Sequence, residues 1–146
     1  MERLLNPIKL AMTLIALAFL AFPVLAAGDG KAEAAWQAVI TGQIEAFRAG
    51  DGDTALSLAG AGFQARFKDP AAFVAAIEAS GYDPIVRSVS HSFGEFEQVD
   101  DTHVVQIVRI VGPDQLIYEA LYQLENEDGG WRVQGVALRR RQGVAI

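Results

Sequence analysis

The chain has 146 residues, of which 51% are hydrophobic and 21% are charged, and its formal net charge is −6. This balance is typical of a globular domain rather than a disordered chain, and the negative charge makes nucleic acid a poor candidate partner, since phosphate binding needs basic surfaces. Because the chain has no cysteine, disulfides, thiol chemistry, cysteine-based metal sites and lipidation at a signal cleavage site are excluded.

The N-terminal segment has the features of an export signal. A weakly positive start is followed by the uncharged apolar run Leu10–Phe22, and Val24–Ala26 supplies small residues at a cleavage site. The run is broken by Pro23 and is shorter than the roughly 20 apolar residues that a membrane-spanning helix needs. We therefore predict a signal peptide over residues 1–26 and a periplasmic or secreted protein with no stable membrane anchor after cleavage.

Helical patterns dominate the first half of the remaining chain, which divides into a short linker, residues 27–31, and a single domain, residues 32–146. The first predicted helix spans residues 32–49, and its apolar stripe consists of Trp36, Val39, Ile40, Ile44 and Phe47. Asp51 or Asp53 can cap a short second helix. Asp69 followed by proline predicts another helix start, with its end near Gly81.

After Pro84 the pattern changes to β-strands. The four predicted strands are Val86–Gln98, His103–Val111, Leu116–Glu125 and Trp131–Arg139. Helices followed by an antiparallel meander predict an α+β fold, with the N-terminal helices packed on one face of a four-stranded sheet.

The lengths of the turns predict the register of the hairpins. We expect Val99 to pair with Thr102, Val111 with Leu116, and Asn126 with Trp131. The face toward the helices would then carry Val105, Ile107, Arg109, Val111, Tyr118, Ala120, Tyr122, Leu124, Trp131, Val133 and Ala137.

The opposite face of the predicted sheet is mixed, yet too apolar to be left in water. It would carry Val104, Gln106, Glu119, Gln123 and Gln134, together with the apolar residues on which a dimer would depend. Those apolar residues are Val108, Ile110, Ile117, Leu121, Val136 and Leu138. We therefore predict a homodimer through this face.

Three stretches carry a family resemblance: Val39–Phe47, Ser80–Ile85, and Ala120–Leu124 followed by Gly130–Gly135. Together they resemble the bacterial domain-of-unknown-function family 4864 (DUF4864), within the nuclear-transport-factor-2-like (cystatin-like) folds. The resemblance implies a cone with a pocket, formed by helices and a curved sheet. The wider group includes isomerases, dehydratases and non-catalytic binding domains, so the resemblance implies a fold and no catalytic residues.

Metal chemistry finds little support in the sequence. Asp51–Asp53 begin like a calcium loop, but Ala55 and Gly62 stand where further ligands are needed. The two histidines, His91 and His103, fall on opposite faces of the predicted sheet and cannot form a metal or acid–base pair. We interpret them as surface or strand-end residues, and we predict no metal ion or other cofactor.

One group of side chains predicts a ligand site. The expected register places Arg109, Tyr118 and Arg139 in a row across three strands, with Tyr122 on the same face. Arginines on an apolar face need a partner, and two forked donors beside a tyrosine would suit a carboxylate or phosphate. The alternatives are ion pairs with aspartates of the helical layer and, for the tyrosines, plain core packing.

The leading interpretation is a non-catalytic binding module of the cell envelope, for a small anionic ligand or a protein partner. A small pocket enzyme, either a hydrolase or an isomerase, is the first alternative. The absence of Asp, Glu and central His from the predicted inner strands counts against it, although Asp83 or an acidic residue of a helix could supply the acid or base. The second alternative is a structural subunit that acts through its sheet face.

Overall fold

The computed structural model describes residues 30–141. The predicted signal peptide and its cleavage site lie outside this range. The helices are α1 Gly30–Arg48, α2 Gly52–Ser57, α3 Ala61–Arg66, α4 Pro70–Ile77 and α5 Asp83–Val86, with a wide helical turn, Glu78–Tyr82, before α5. The strands are β1 Ser90–Asp100, β2 His103–Val111, β3 Ile117–Glu127 and β4 Gly130–Arg140.

Local signals in the sequence determine where the helices begin and end. The predicted stripe of α1 is confirmed, because Trp36, Ile40 and Ile44 are buried in the core. Asp51 caps α2 by accepting a hydrogen bond from the backbone N–H of Thr54 at 3.1 Å. Asp69 caps α4 in the same way, and Pro70 occupies the first helical position as predicted.

The predicted start of the first strand at Val86 is wrong. Asp83–Val86 forms a helical turn that buries Ile85 and Val86, and the strand starts only at Ser90. Pro84 lies in the first turn of this short helix, where its missing N–H has no hydrogen bond to lose. The proline therefore starts a helix here and does not mark the change to strands.

The sheet is a four-stranded antiparallel meander with the order β1-β2-β3-β4. This topology confirms the predicted α+β fold, in which helices come first and strands follow. Val104, Val108 and Ile110 of β2 join the core cluster that contains the buried residues of α1. The helices therefore pack on the face of the sheet to which these three residues belong.

Two of the predicted hairpin registers are wrong at their turns, the β2–β3 register by one residue and the β1–β2 register by two. Val111 pairs with Ile117, not Leu116, because Gln115 adopts a φ of 67° and closes a loop of residues 113–115. In the first hairpin Asp100 pairs with His103, and two bulges restore the predicted register by Phe93. The third hairpin pairs Asn126 with Trp131 as predicted, but a bulge at residue 134 shifts everything beyond it.

These shifts reverse the predicted faces of β2 and of the end of β4. We call the side without helices the outer face; it carries Val105, Ile107, Arg109, Val111, Ile117, Glu119, Leu121, Gln123, Ala137 and Arg139. Of the six residues predicted at the dimer interface, four pack on the helical side instead: Val108, Ile110, Val136 and Leu138. Only Ile117 and Leu121 lie on the outer face.

Aromatic rings fill the space between the helices and the sheet. The Trp36 ring meets Phe96 and Trp131 edge-on, with centroids 5.1 and 5.4 Å away.

Two depressions, of about 490 and 450 Å³, lie in the helical layer and its link to the sheet, and no strand residue lines either of them. Neither depression therefore corresponds to the interior pocket that the family resemblance implies.

Candidate functional site

The predicted row of Arg109, Tyr118 and Arg139 does not form. Arg109 pairs across the strands with Glu119, and Glu119 pairs with Arg139, all on the outer face. Tyr118 points to the other side and packs against the edge of the core. The shared row was wrong because the loop after Val111 and the bulge in β4 each shift the register by one residue.

Each member of the predicted group has its own surroundings. The Tyr118 hydroxyl donates to Asp114 Oδ2 at 2.7 Å, and this hydrogen bond lowers the pKa of Asp114. Arg139 donates to Glu119 Oε1 from Nη2 at 2.9 Å and from Nε at 3.3 Å. Tyr122 is a core residue whose burial raises the pKa of its hydroxyl. Ligand binding by these residues stays a prediction, but they do not share the one face of the sheet on which that prediction was based.

A different polar cluster lies where α1 meets the start of β1. The Nε2 atom of His91 is 3.0 Å from Thr41 Oγ1, and its Nδ1 atom is 3.3 Å from Arg48 Nη2. Arg48 Nε also donates to the hydroxyl of Ser88, a buried side chain, at 3.1 Å. His91 pairs with Ile110, as predicted, but it is a partly buried member of a network rather than a simple surface residue.

The hydrogen bonds determine the protonation state of His91. A guanidinium can only donate, so Nδ1 must be the acceptor from Arg48 and the ring proton must lie on Nε2. Burial of the ring and the nearby positive charge of Arg48 both lower the pKa of His91, and Glu45 opposes them. His91 is therefore a neutral imidazole near neutral pH that donates to Thr41.

This tautomer is unfavourable for nucleophilic catalysis by Thr41. A general base would have to accept the hydroxyl proton at the nitrogen facing Thr41, and a third group would have to accept a hydrogen bond from the other nitrogen. In this cluster both hydrogen bonds of the imidazole run the opposite way: Nε2 carries the proton and donates to Thr41, and Nδ1 accepts from the cation Arg48. The arrangement positions Arg48 and does not activate a hydroxyl.

Arg48 and Ser88 border the depression of about 450 Å³, which the end of α1 forms with the segment before β1. Arg87 and Glu78 are also in its lining. Arg87 is neutralised by Asp83, with 3.0 Å between Nε and Oδ1, and lies 3.7 Å from Glu78. Arg48 differs: within residues 30–141 no carboxylate forms an ion pair with it.

Sequence reasoning missed this cluster because its contacts join distant parts of the chain. Arg48 lies in the last turn of α1, where a basic residue is expected for its interaction with the helix dipole. His91 is 43 positions further along the chain. The signal that could have drawn attention to both was weak: an arginine at the end of a predicted helix and a histidine inside a predicted strand.

The larger depression has an acidic lining that includes Asp53, Asp69 and Glu78. Even so, residues 30–141 contain no group of three or more histidine or acidic side chains that could hold a metal ion.

In the same part of the chain, no helix has both the length and the apolar character needed to cross a membrane.

The family model described as "Domain of unknown function (DUF4864)" matches residues 30–146. The chain belongs to this family. Its DUF4864 domain has a fold seen in at least two solved structures. An NTF-2 like protein of unknown function from Silicibacter pomeroyi DSS-3 is 15% identical, with a TM-score of 0.54, and the match covers 79% of this chain and 100% of that chain.

The second structure is a domain of unknown function with a cystatin-like fold from Nostoc punctiforme PCC 73102. It is 16% identical with a TM-score of 0.54, and the match covers 80% of this chain and 82% of that chain. At these identities the likeness shows the fold of the DUF4864 domain and nothing about its activity. No curated protein matches the chain.

Proposed function

We propose that the DUF4864 domain is exported and serves as a non-catalytic binding module for a small ligand with a carboxylate or phosphate group. Arg48 would hold that group at the depression of about 450 Å³. The observation that carries the proposal is that neutral acceptors, Ser88 and His91, orient the guanidinium. The positive charge of the guanidinium is therefore still available to bind an anion.

The number of donors on Arg48 supports this assignment. A guanidinium has five N–H donors, and Ser88 and His91 take one each. A side chain held by two bonds has lost part of its rotational freedom before a ligand arrives, so less entropy is lost on binding. Charge-assisted, forked hydrogen bonds to a carboxylate or phosphate are the strongest that the remaining donors can make.

The lining of this depression offers the competing enzyme a single carboxylate. A hydrolase or isomerase needs an acid or base that faces the ligand, and Glu78 is the one carboxylate among the residues lining this depression. Glu78 lies 3.7 Å from Arg87, which lines the same depression. An enzyme at this site would therefore depend on Glu78 as a base, and Glu78→Gln would abolish its activity while leaving anion binding intact.

Arg48→Gln should weaken ligand binding sharply, and its effect on the ligand-free stability should be limited to the lost hydrogen bonds to Ser88 and His91. A ligand that binds only the folded state raises Tm by mass action, and loss of a charge-assisted pair weakens binding by about 10- to 100-fold. The measurement is a thermal-shift series with acetate, succinate and inorganic phosphate on the chain that starts at Ala27. Calorimetric titration of whichever anion responds would then give the affinity of each variant.

Arg109→Gln is the matched control, because it removes the same charge from the site that the sequence had suggested. It should keep the ligand-dependent rise in Tm. If Arg109→Gln loses the response and Arg48→Gln keeps it, the binding site lies on the sheet. If the wild type responds to none of the anions, the depression does not bind anions.

Export is the part of the proposal that depends on the N-terminal segment alone. The apolar run Leu10–Phe22 followed by Val24–Ala26 has the pattern that a signal peptidase cleaves. N-terminal sequencing of the protein from periplasm or culture medium should therefore begin at Ala27. Recovery of a chain that begins at Met1 from the membrane fraction would indicate an uncleaved anchor instead.

A further inference from the structure

Exposed apolar side chains gather at one end of the sheet, around the turn that joins β2 to β3. Val89, Leu116 and Ile117 are 54%, 37% and 46% exposed. The backbone N–H of Val89 donates to the carbonyl oxygen of Val111, and Val111 pairs with Ile117. We call this end of the sheet the turn end. Within residues 30–141 the other exposed large apolar side chain, Val99, lies at the opposite end.

The charges of the sheet also divide between its two ends. The turn end carries four arginines and two acids: Arg109, Arg139, Arg140, Arg141, Asp114 and Glu119. The opposite end carries six acids, one arginine and a histidine: Glu97, Asp100, Asp101, Glu125, Glu127, Asp128, Arg132 and His103. The net charge of the sheet therefore changes sign along the strands, although the chain as a whole is acidic.

Both acids at the turn end are already bonded within the chain. Glu119 Oε1 accepts from Arg139 Nη2 at 2.9 Å, so these two charges neutralise each other. Asp114 Oδ2 accepts from the hydroxyl of Tyr118 at 2.7 Å, which directs this carboxylate toward its own hairpin. The positive charge of the turn end therefore exceeds what its acids compensate.

Two arginines present this excess charge to solvent. Arg140 and Arg141 are both exposed, and within residues 30–141 no carboxylate forms an ion pair with either of them. The backbone N–H of Arg141 donates to the carbonyl oxygen of Ile117 at 2.9 Å. Exposed guanidinium groups and exposed aliphatic side chains are thus neighbours at one end of the sheet.

We propose that the turn end docks on the surface of a membrane that contains anionic lipids. Val89, Leu116 and Ile117 enter the boundary between the headgroups and the acyl chains, where apolar side chains leave water. Arg140 and Arg141 bind lipid phosphates through charge-assisted hydrogen bonds. The contact is peripheral and reversible, because three partly exposed side chains bury far less apolar surface than a spanning helix does.

A membrane fits the turn end better than other anionic partners do. Single-stranded nucleic acid is bound by stacking of its bases on aromatic rings, and protein interfaces depend on aromatic and arginine anchors that fill pockets. Within residues 30–141 every exposed large apolar side chain is aliphatic. Aliphatic side chains beside arginines suit a surface that offers acyl chains beneath a layer of phosphate.

The acidic end of the sheet does not oppose this contact. A strand of 11 residues spans about 36 Å at roughly 3.3 Å per residue. The Debye length at physiological ionic strength is about 8 Å, so the charges of the far end are screened from the lipid. Their repulsion favours the orientation in which the turn end faces the membrane and the acidic end faces away.

Co-sedimentation with lipid vesicles tests the proposal on the chain that starts at Ala27. Phosphatidylcholine vesicles with about one-third phosphatidylglycerol should bind the protein at least about tenfold better than pure phosphatidylcholine vesicles, and added salt should weaken the binding. Arg140→Gln/Arg141→Gln should lower the affinity about 25-fold, since each basic residue at an anionic surface contributes about fivefold. Arg66→Gln/Lys68→Gln, an equal loss of charge at two exposed positions, is the matched control and should bind like the wild type.

Two valines test the apolar contact separately from charge. Val89 and Val99 are similarly exposed but lie at opposite ends of the sheet. Val89→Gln should weaken vesicle binding about threefold, as expected when the exposed half of a valine no longer leaves water. Val99→Gln should leave the affinity unchanged. Circular dichroism confirms that the variants fold, and the lipid and salt dependence of the wild type needs no variant.

Equal binding to the two kinds of vesicle would overturn the proposal, and so would equal affinities of Arg140→Gln/Arg141→Gln and Arg66→Gln/Lys68→Gln. If the arginine variant loses binding but both valine variants bind like the wild type, the turn end recognises charge alone. The membrane is then the wrong partner, and binding to polyglutamate or to RNA would show which polyanion replaces it.

The Arg48 depression lies near the turn end, since Ser88, which Arg48 contacts, precedes Val89. Small anions at Arg48 are tested without lipid, and none of the variants used with vesicles changes Arg48. Each of the two proposals can therefore fail without the other.

Discussion

Gln106→Leu should lower the free energy of unfolding by about 3 kcal/mol or more, although leucine is the more apolar residue. The Gln106 side chain has no exposed surface. Its Oε1 accepts from Trp36 Nε1 at 2.8 Å and from Gln37 Nε2 at 3.2 Å, and its Nε2 donates to the carbonyl oxygens of Gly94 and Ile107, each at 2.9 Å. Leucine would leave several of these groups unpaired, and each buried unpaired group costs about 1–3 kcal/mol.

Urea unfolding of the two single variants and the double variant separates the lost hydrogen bonds from packing changes. Trp36→Phe removes the indole donor, so in its presence Gln106→Leu no longer leaves that donor unpaired. The double variant should therefore be more stable than the sum of the single losses implies, by about 1 kcal/mol or more. Strict additivity, or a Gln106→Leu variant as stable as wild type, would show that the network contributes little.

Gln106 also shows where sequence reasoning reached its limit. The hydrophobic pattern of β2 was strong enough to give its ends, His103–Val111, without error. Both faces of this strand are largely apolar, so the pattern could not say which face meets the helices. The face that meets the helices was decided by the loop after β2. In that loop Gln115 adopts a left-handed backbone conformation, which could not be anticipated because glycine or asparagine usually adopts it.

Features that depend on neighbouring residues were predicted well, and features that depend on the assembled fold were not. The caps at Asp51 and Asp69 are decided within one turn of chain, and both are present. The contacts of His91 with Thr41 and Arg48 require α1 to cross the start of β1 at a particular place. Nothing in the pattern of either element sets that crossing, so the candidate site emerged only from the fold.

Phe73→Ala should cost about 3–5 kcal/mol of stability, as expected when a buried ring leaves a cavity. Phe73 is 2% exposed, and three other rings surround it. Its ring centroid lies 6.1 Å from Phe47, 5.9 Å from Phe63 and 5.5 Å from Phe67. These residues come from α1, from α3 and its C-terminal end, and from α4, so one ring connects most of the helical layer.

Phe63→Ala is the matched control, since it removes a ring from the same cluster at a position that is only half-buried. It should cost less, because fewer contacts are lost and water can reach the space. Denaturant unfolding of both variants shows which of them loses more free energy of unfolding. An m value equal to that of the wild type would confirm that the free energies can be compared on a two-state basis. A Phe73→Ala loss below about 1 kcal/mol would mean that the short helices α2 to α4 close around the missing ring. Since a domain is stable by only about 5–15 kcal/mol, the larger loss would leave the helical layer, and with it the Arg48 cluster, close to unfolding.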